Sequence, residues 1–467
     1  MGEVYNKEAI VTKKAIGVVI ASILIGVLAE FFFFRPDGKR QEDMVPRLSS
    51  RAGELSSSSE FLNAQRAVEY YRDAIAKRPD VVKNYVDLAQ IYQQEARVTA
   101  NEAYYLPKAQ YLLNEALRHS PEDFDALIAQ ASLNMTLHQF MKAKETILKA
   151  IKKNDFSAAA YGVLVDAHVE LGEYEEAVKA CDKMLSIRPD LRSYSRVSYV
   201  RELHGDIPGA ISAMRLAADA GVTGQENRAW TLYNLGNLYL QHRKIDTAQF
   251  IFKGILEERP SFALAIVGTA KIKTLKKEFA EAIQLLTDAY HSTPYHGLLE
   301  QLTETFSEAG MRFQADSAAT IVLNGFEEDL KLGHNAYGEY AAFAIQHNIE
   351  LAKALEYARK DYEYRPNNIK TLETYAWALL LNGQPEHSTP LIEKAMRLET
   401  NAPQLLYRAG IIFQQSGHSA MAKELLSEAM KHHLSLYPKE FAHAEMVLNG
   451  LHESKKSSKS LSHNYNN

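Results

Sequence analysis

Small residues recur along most of this chain at a spacing close to 34 residues. From Ala67 onward, the steps between successive small residues are 42, 34, 34, 33, 38, 34, 33, 39, 34 and 34. A self-similar period of this length is typical of repeat architectures, in which each unit packs only against its neighbours. The spacing therefore predicts a stack of similar units. The recurring residues are Ala67, Ala109, Ala143, Ala177, Ala210, Ala248, Ala282, Ala315, Ala354, Ser388 and Ala422.

Each period contains two segments with the pattern of an amphipathic helix. Apolar residues recur at i, i+3, i+4 and i+7, which places them on one face of a helix. Alanine at the recurring sites lets two helices approach closely, and proline ends the second helix because it has no N–H to donate. The pattern predicts an all-α chain of helical pairs. Its closing prolines are Pro79, Pro121, Pro189, Pro260, Pro294 and Pro366.

These marks resemble the tetratricopeptide repeat (TPR). The clearest unit contains Tyr233-Asn-Leu-Gly-Asn-Leu-Tyr239, and the turns between helices read Gly172-Glu-Tyr174 and Gly310-Met-Arg-Phe313. The resemblance covers residues 60–436, about eleven units. It implies a TPR-like superhelical solenoid, in which the first helix of each unit lines a concave groove and the second helix forms the outer wall. The long steps predict insertions near residues 95–106, 221–225 and 325–334.

A separate apolar stretch lies at residues 15–34, where Ser22 and Glu30 are the only polar residues. About twenty apolar residues are enough for a helix to cross the hydrocarbon core of a bilayer. The stretch therefore predicts one transmembrane helix, a signal anchor that tethers the protein to a membrane. The alternative is a cleaved signal peptide, because Val27 and Ala29 fit the small-residue positions before a cleavage site.

The predicted organisation has five parts. Basic residues are almost equally frequent on both sides of the anchor, so the positive-inside rule does not fix the orientation. A single-pass protein with a periplasmic or otherwise extracytoplasmic solenoid is the favoured interpretation, and a cytoplasmic solenoid is the alternative. The parts are a short flank at 1–14, the anchor at 15–34, a polar serine-rich linker at 35–59, the solenoid at 60–436, and a terminal helix remnant with a disordered tail at 437–467.

Composition and motifs argue against several classes of function. The chain has 53 basic and 58 acidic residues, a net charge of −5, whereas nucleic-acid binding needs clustered excess positive charge. The single cysteine, Cys181, excludes an intrachain disulfide and a C-x-x-C site. No G-x-G, G-x-S-x-G or phosphate-loop motif occurs, and no two histidines lie four residues apart. We expect no enzymatic activity, no cofactor and no metal site.

The resemblance implies that partner-binding residues lie on the first helices of the units. Tyrosine suits such a surface because it offers a large contact area and a hydroxyl group at low entropic cost. Amide and cationic side chains could bind peptide backbone or a carboxylate. For the aromatic residues, packing between repeats is the alternative. The candidates are Arg192, Tyr199, Tyr233, Asn237, Gln241, Lys271, Trp377 and Tyr407.

Two functional hypotheses follow. The favoured one is a non-enzymatic, membrane-tethered scaffold whose groove binds a protein or peptide partner in an envelope assembly, secretion or regulatory complex. The alternative is a polymer-binding module that guides an exported polysaccharide along the superhelix. Peptide binding predicts discrete polar contacts, whereas polymer guidance predicts planar aromatic residues in successive repeats. The oligomeric state stays open.

Overall fold

The computed structural model describes residues 44–51, 56, 58–242, 244–398, 400, 402–431 and 438–463, with side chains as far as Leu451. The chain divides into two units, Met1–Leu48 and Ser49–Asn467. Only residues 44–48 of the first unit are described, and all helices named below belong to the second. Among the described residues the regular structure is entirely helical, which confirms the all-α prediction.

The second unit is a chain of antiparallel helices. Ten consecutive pairs, α2/α3 to α20/α21, follow α1, which occupies the second-helix position of an earlier repeat. The helices are α1 Ser59–Lys77, α2 Val82–Thr99, α3 Glu102–His119, α4 Phe124–Thr136, α5 Phe140–Lys153, α6 Ala158–Glu170, α7 Tyr174–Ile187, α8 Leu191–Leu203, α9 Ile207–Asp219, α10 Glu226–Gln241, α11 Ile245–Glu258, α12 Ala263–Leu275, α13 Phe279–Ser292, α14 His296–Glu308, α15 Arg312–Lys331, α16 Tyr337–His347, α17 Leu351–Tyr364, α18 Ile369–Leu381, α19 Pro385–Ala395, α20 Pro403–Gln415, α21 Ser419–Lys431 and α22 Pro438–His463.

Local chemistry explains where these helices begin and end. Each of the six closing prolines lies two residues beyond the end of a second helix, for example Pro189 after α7. Gly172 and Gly310 have φ values of +74° and +76°, a left-handed conformation that favours glycine because it has no Cβ. At the start of α8, Asp190 and Ser193 form a capping box. The predicted proline and glycine helix ends are confirmed, and the capping box is a further feature that the structure adds.

The recurring small residues lie where helices cross. Ala248 and Ala282 are fully buried, as is Ser388, which occupies the same position in a later unit. Insertions mostly lengthen helices: α2 and α3 have 18 residues each, and α15 has 20. Only the residues near 221–225 form a longer loop, between α9 and α10.

Successive turns of the superhelix touch each other. In a contact that we call the seam, residues 137–139 meet residues 333–339, and the Asn335 N–H donates to the Leu137 carbonyl at 3.0 Å. In a second contact, the clasp, residues 170–174 meet residues 365–369, and the Ile369 N–H donates to the Tyr174 hydroxyl at 2.9 Å across 195 residues. The superhelix therefore repeats after nearly six units and encloses its interior.

Several predictions fall at the ends of the chain. The anchor at 15–34 and nearly all of the linker lie outside the described residues. Among the helices that the structure does describe, none is both long and apolar enough to cross a membrane. At the other end, α22 continues to His463 and so includes residues predicted to be disordered; no proline interrupts it after Pro438.

Candidate binding cavity

A cavity of about 400 Å³ lies inside the superhelix. The first helices of several consecutive repeats supply most of its polar wall, as the TPR resemblance implies for a concave groove. The clasp closes one side, where Tyr174 and Asn368 line the cavity. Its other polar lining residues include Tyr199 and Glu202 of α8, Gln241 of α10, Lys271 of α12, Gln301, Glu304 and Glu308 of α14, and Gln404 of α20.

Tyr199 presents an aromatic face to this space. Its side chain is 45% exposed, although the residue lies within the superhelix. Surrounding protein nonetheless raises the pKa of its hydroxyl far above the usual range, with burial as the main cause. The two observations agree because the exposed part of the ring faces a cavity inside the superhelix rather than the outer surface. An unpacked aromatic ring in such a place offers a ligand a flat apolar contact.

Helix α14 carries a row of carboxylates along the same interior. Glu300, Glu304 and Glu308 are four residues apart, so their side chains share one helix face. Burial raises the pKa of Glu300 to about 7 and, together with the charge of Glu308, that of Glu304 to about 8. Burial alone raises the pKa of Glu202. Within the described residues, none of these four carboxylates forms an ion pair with a cationic side chain.

Lys271 and Lys439 are the cationic side chains whose charges act on Glu304. Burial lowers the pKa of the Lys271 ammonium group, and Glu304 partly offsets the effect. At the rim, Lys439 donates to the Ser307 hydroxyl at 2.6 Å and lowers the pKa of Glu304 and Glu308 through its charge. Acidic groups therefore outnumber the cations along this wall.

The structure separates the eight predicted partner-binding residues into three groups. Tyr199, Gln241 and Lys271 line the cavity. Tyr233 and Asn237 lie on the same face of α10, and their side chains form a hydrogen bond. The Tyr233 ring packs against the Phe252 ring, with 5.9 Å between the ring centroids. Tyr233 and Asn237 are partly buried and lie outside the cavity wall.

The remaining three predicted residues lie elsewhere. The Trp377 and Tyr407 side chains are 8% and 3% exposed, and their ring centroids are 5.7 Å apart, so the packing alternative describes their contacts. The Tyr407 hydroxyl also contacts His443 Nδ1 at 2.9 Å. Arg192 is exposed and does not line the cavity. Whether any of the eight binds a partner stays a prediction.

The acidic wall was missed by the sequence reasoning, although the repeat spacing contains the signal. Glu304 lies eleven residues before Ala315, just as Lys271 lies eleven before Ala282 and Tyr199 eleven before Ala210. Equivalent positions in a repeat face the same surface. Extending the register by one unit would have identified Glu304 as a groove residue.

Metal-ligating types of side chain and a thiol group also occur in the described residues. In the part of the chain that the structure covers, no group of three or more His, Cys, Asp or Glu side chains could hold a metal ion. Cys181 is 4% exposed, and burial raises the pKa of its thiol to about 11, so the group is protonated at neutral pH.

Comparison with known proteins supports the repeat assignment. Residues 128–191 match the family model described as tetratricopeptide repeat. These residues include α5 to α7, the second helix of one pair and both helices of the next. Over these residues the chain is similar to the tetratricopeptide repeat, and the remaining described pairs have the same TPR-like, all-helical architecture.

Two curated proteins are similar to part of the chain. Cellulose synthase operon protein C of Pseudomonas fluorescens is 24% identical over 184 residues, 38% of this chain and 14% of that protein. Protein O-mannosyl-transferase TMTC3 of Homo sapiens is 23% identical over 220 residues, 47% of this chain and 23% of that protein. The matched regions span less than a quarter of either relative.

Solved structures of repeat proteins are also similar. TTC0263, a thermophilic TPR protein of Thermus thermophilus, has 20% identity and a TM-score of 0.36, covering 41% of this chain and 98% of that one. YrrB, described as a TPR protein with an unusual peptide-binding site, has 17% identity and a TM-score of 0.27. The match covers 42% of this chain and 95% of that one.

Proposed function

We propose that this protein is a non-enzymatic interaction scaffold that binds an extended, positively charged segment of a partner protein in its interior cavity. TPR-type helical scaffolds typically serve protein–protein interaction. The observation that carries the proposal is the row of Glu304 and Glu308, with Glu202 opposite on α8, facing a cavity without an ion-pair partner within the described chain. Lysine or arginine side chains of a partner would supply the missing charge.

The chain contains an example of the same recognition. Arg51 belongs to an extended segment before α1 and is 4% exposed. Its guanidinium donates to Glu95 at 2.5 Å and to Glu60 at 3.1 Å, and its neighbour Ser49 donates a backbone N–H to the Tyr105 hydroxyl at 3.1 Å. An extended segment with a cationic side chain is thus held here by buried Glu95 on a first helix and half-buried Glu60 on a second helix.

The proposed setting is a membrane. The apolar stretch at 15–34 would tether the scaffold to the bilayer, and the linker would hold the cavity away from the surface. An extracytoplasmic solenoid acting in an envelope, secretion or regulatory complex fits this arrangement. Protease digestion of intact spheroplasts tests the orientation, because an extracytoplasmic solenoid is cleaved without lysis and a cytoplasmic one is protected.

Guidance of a polysaccharide remains the second candidate, favoured by the partial similarity to cellulose synthase operon protein C. Sugar polymers stack on planar side chains, so a guiding groove would need aromatic residues in consecutive units. The positions equivalent to Tyr199 in the next three repeats are Asn237, Lys271 and Glu304. These amide and charged residues interrupt the row of aromatic residues that a polysaccharide would need. The sequence of this surface therefore favours a peptide ligand over a polysaccharide.

Binding of short labelled peptides tests the proposal. We expect a fluorescein-labelled peptide of alternating lysine and serine to bind, and the equivalent glutamate peptide and a cello-oligosaccharide not to bind. The double variant Glu304→Gln with Glu308→Gln should weaken lysine-peptide binding by about 2 kcal/mol, because a desolvated charge contact is lost. Fluorescence anisotropy measures both.

The matched control is Glu257→Gln, on the exposed outer face of α11, where the carboxylate lies 3.7 Å from Lys253. It should change the affinity by less than about 0.5 kcal/mol. Equal losses from the interior and outer variants would contradict binding in the cavity. Binding of the oligosaccharide without binding of the peptide would favour the second candidate.

A further inference from the structure

The seam is a second structural feature of the interior, formed by two loops that are far apart in sequence. Gln139 Nε2 donates to the Gly333 carbonyl at 2.9 Å, and His138 Nδ1 lies 3.0 Å from Glu339 Oε1. The ring of His334 meets that of His138 edge to face, with centroids 4.3 Å apart. Two imidazoles and a carboxylate therefore lie at the closure between successive superhelical turns.

The seam adjoins the binding cavity. A smaller cavity of about 320 Å³ lies directly behind it, lined by His138, Glu339 and Tyr199. Tyr199 and Val169 line both this space and the larger cavity. Separation of the seam would therefore open a lateral path to the interior.

Closure leaves polar atoms unsatisfied. His334 Nε2, Asn335 Oδ1 and Glu339 Oε2 are buried without a hydrogen-bond partner among the described residues. Burial of an unpaired polar atom costs free energy that exposure to water restores. The clasp differs in this respect: Arg365 pairs with Glu170 and Asp361 at 2.6 Å each, and the Asn368 amide donates to the Val169 and Glu170 carbonyls. The seam is thus the weaker of the two closures.

We propose that the seam is a proton-controlled gate, closed at neutral pH and opened by protonation of His334, which regulates access of the partner segment to the interior cavity. The gate deepens the proposed function and rests on it for the identity of the ligand. The separation of the two loops can be tested without any ligand.

The direction follows from the electrostatics. Burial, and then the charge of His138, lower the pKa of His334 to about 4 in the closed seam, whereas an exposed histidine titrates near its ordinary value of 6.5. Opening therefore takes up a proton as the pH falls below about 6.5. The pKa of Glu339 is lowered to about 2, because the hydrogen bond and charge of His138 outweigh burial. Glu339 therefore stabilises the closed seam at neutral pH. This stabilisation is lost only as the pH falls below 4.5, the ordinary pKa of its carboxyl group.

Other charged groups around the seam also affect its titration. Burial raises the pKa values of Glu102, Glu170 and Asp329, so these carboxyl groups bind protons in the closed state and oppose opening in acid. The hydrogen bond and charge of Glu339 raise the pKa of His138 despite burial, so protonation of His138 also favours the closed seam. The remaining charged groups facing the seam are Asp166 of α6, His296 of α14 and Arg365 of α17.

Electron paramagnetic resonance distances test the gate directly. Glu145→Cys on α5 and Glu328→Cys on α15 place spin labels at exposed positions on the helices that flank the seam. Buried Cys181 does not compete for the label because its thiol is inaccessible. Between about pH 7.5 and about pH 5, we expect a second, longer distance to appear, with the open population rising roughly tenfold.

His334→Asn retains a polar side chain without a titratable proton, so it should lose most of this response, whereas His291→Asn, an exposed histidine on α13, should keep it. Carbon-13 NMR titration of His334 in the otherwise unaltered protein is a second measurement, with an expected pKa near 4. An unchanged distance in acid, an equal response in His334→Asn, or an ordinary pKa for His334 would each overturn the gate.

The ligand experiment separates failure of the gate from failure of the proposed function. Failure of the lysine peptide to bind at neutral pH, together with an acid-dependent distance, would remove the proposed ligand and leave the gate. Peptide binding with no distance change would remove the gate alone.

Discussion

At the scale of single residues, the feature that most affects function is charge placed where water is scarce. Glu304 faces Glu308 on its own helix, Lys271 on α12, and Lys439 and Glu440 on α22. Burial and the neighbouring carboxylate together favour its protonated form, and the surrounding cations do not reverse this. A ligand that brings positive charge must therefore displace a proton before it gains the full electrostatic attraction.

This linkage predicts how binding depends on pH. The lysine peptide should bind more tightly as the pH rises from about 6.5 to about 9, because Glu304, with a pKa of about 8, becomes ionised while the peptide keeps its charge. Burial lowers the pKa of Lys271, so its ammonium group also loses its charge as the pH rises. Binding of the cationic peptide is then strengthened, because the repulsion from Lys271 is removed. Isothermal titration calorimetry in buffers of different ionisation enthalpy measures the proton released, and Glu304→Gln should abolish most of it. Tighter binding at the acid end would contradict this assignment.

At the scale of helical elements, the pairs are held by small residues at their crossings. Ala282 on α13 is fully buried, and Leu286 one turn later belongs to the same core as Leu298 of α14. The neighbouring Ala280 on α13 is exposed. A difference of two positions along the helix therefore decides whether a methyl group packs between helices or faces solvent.

Ala282→Leu tests this crossing. The added methylene groups should overpack the interface and lower the free energy of unfolding by roughly 1–3 kcal/mol, and the transition should lose cooperativity because each unit is stabilised by its neighbours. Ala280→Leu on the exposed face should change stability by less than about 0.5 kcal/mol. Chemical denaturation followed by circular dichroism compares the two. Identical transitions would place the helix crossing elsewhere.

At the scale of the whole molecule, contacts between successive turns determine the shape of the interior. The clasp places Asn368 and Ile369 of one turn against Val169 and Tyr174 of the previous turn, and these residues form part of the cavity wall. Arg365 connects the two turns through its ion pair with Glu170, and its second ion pair, with Asp361 on α17, holds the guanidinium in place. A solenoid without these contacts would have an open groove.

Arg365→Ala should open the clasp. Removing the guanidinium leaves the Asp361 and Glu170 carboxylates buried without their partner, so the free energy of unfolding should fall by about 3–5 kcal/mol. Small-angle X-ray scattering should show a larger radius of gyration. The control is Arg359→Ala on the same helix, whose exposed pair with Glu363 should contribute less than about 1 kcal/mol. An unchanged radius of gyration in Arg365→Ala would show that other contacts keep the turns together.

The sequence by itself determined the features that depend on local chemistry. Helical periodicity, left-handed glycines such as Gly172, and prolines such as Pro189 act on their own segment of chain, so the repeat length, the helix boundaries and the buried crossings could be predicted. Register also identified the helices that line the interior. Three of the eight predicted residues, Tyr199, Gln241 and Lys271, line the cavity, and their role in binding stays a prediction.

Only the tertiary structure decided which interior positions form a cavity. Trp377 and Tyr407 occupy first helices as Tyr199 does, yet they pack against each other, and Tyr407 also contacts α22. The seam and clasp join residues nearly 200 positions apart. The pitch of the superhelix sets these contacts through small rotations that accumulate over about six repeats, and no single repeat encodes that sum. The enclosed cavity and the raised pKa of Glu304 depend on this accumulated geometry.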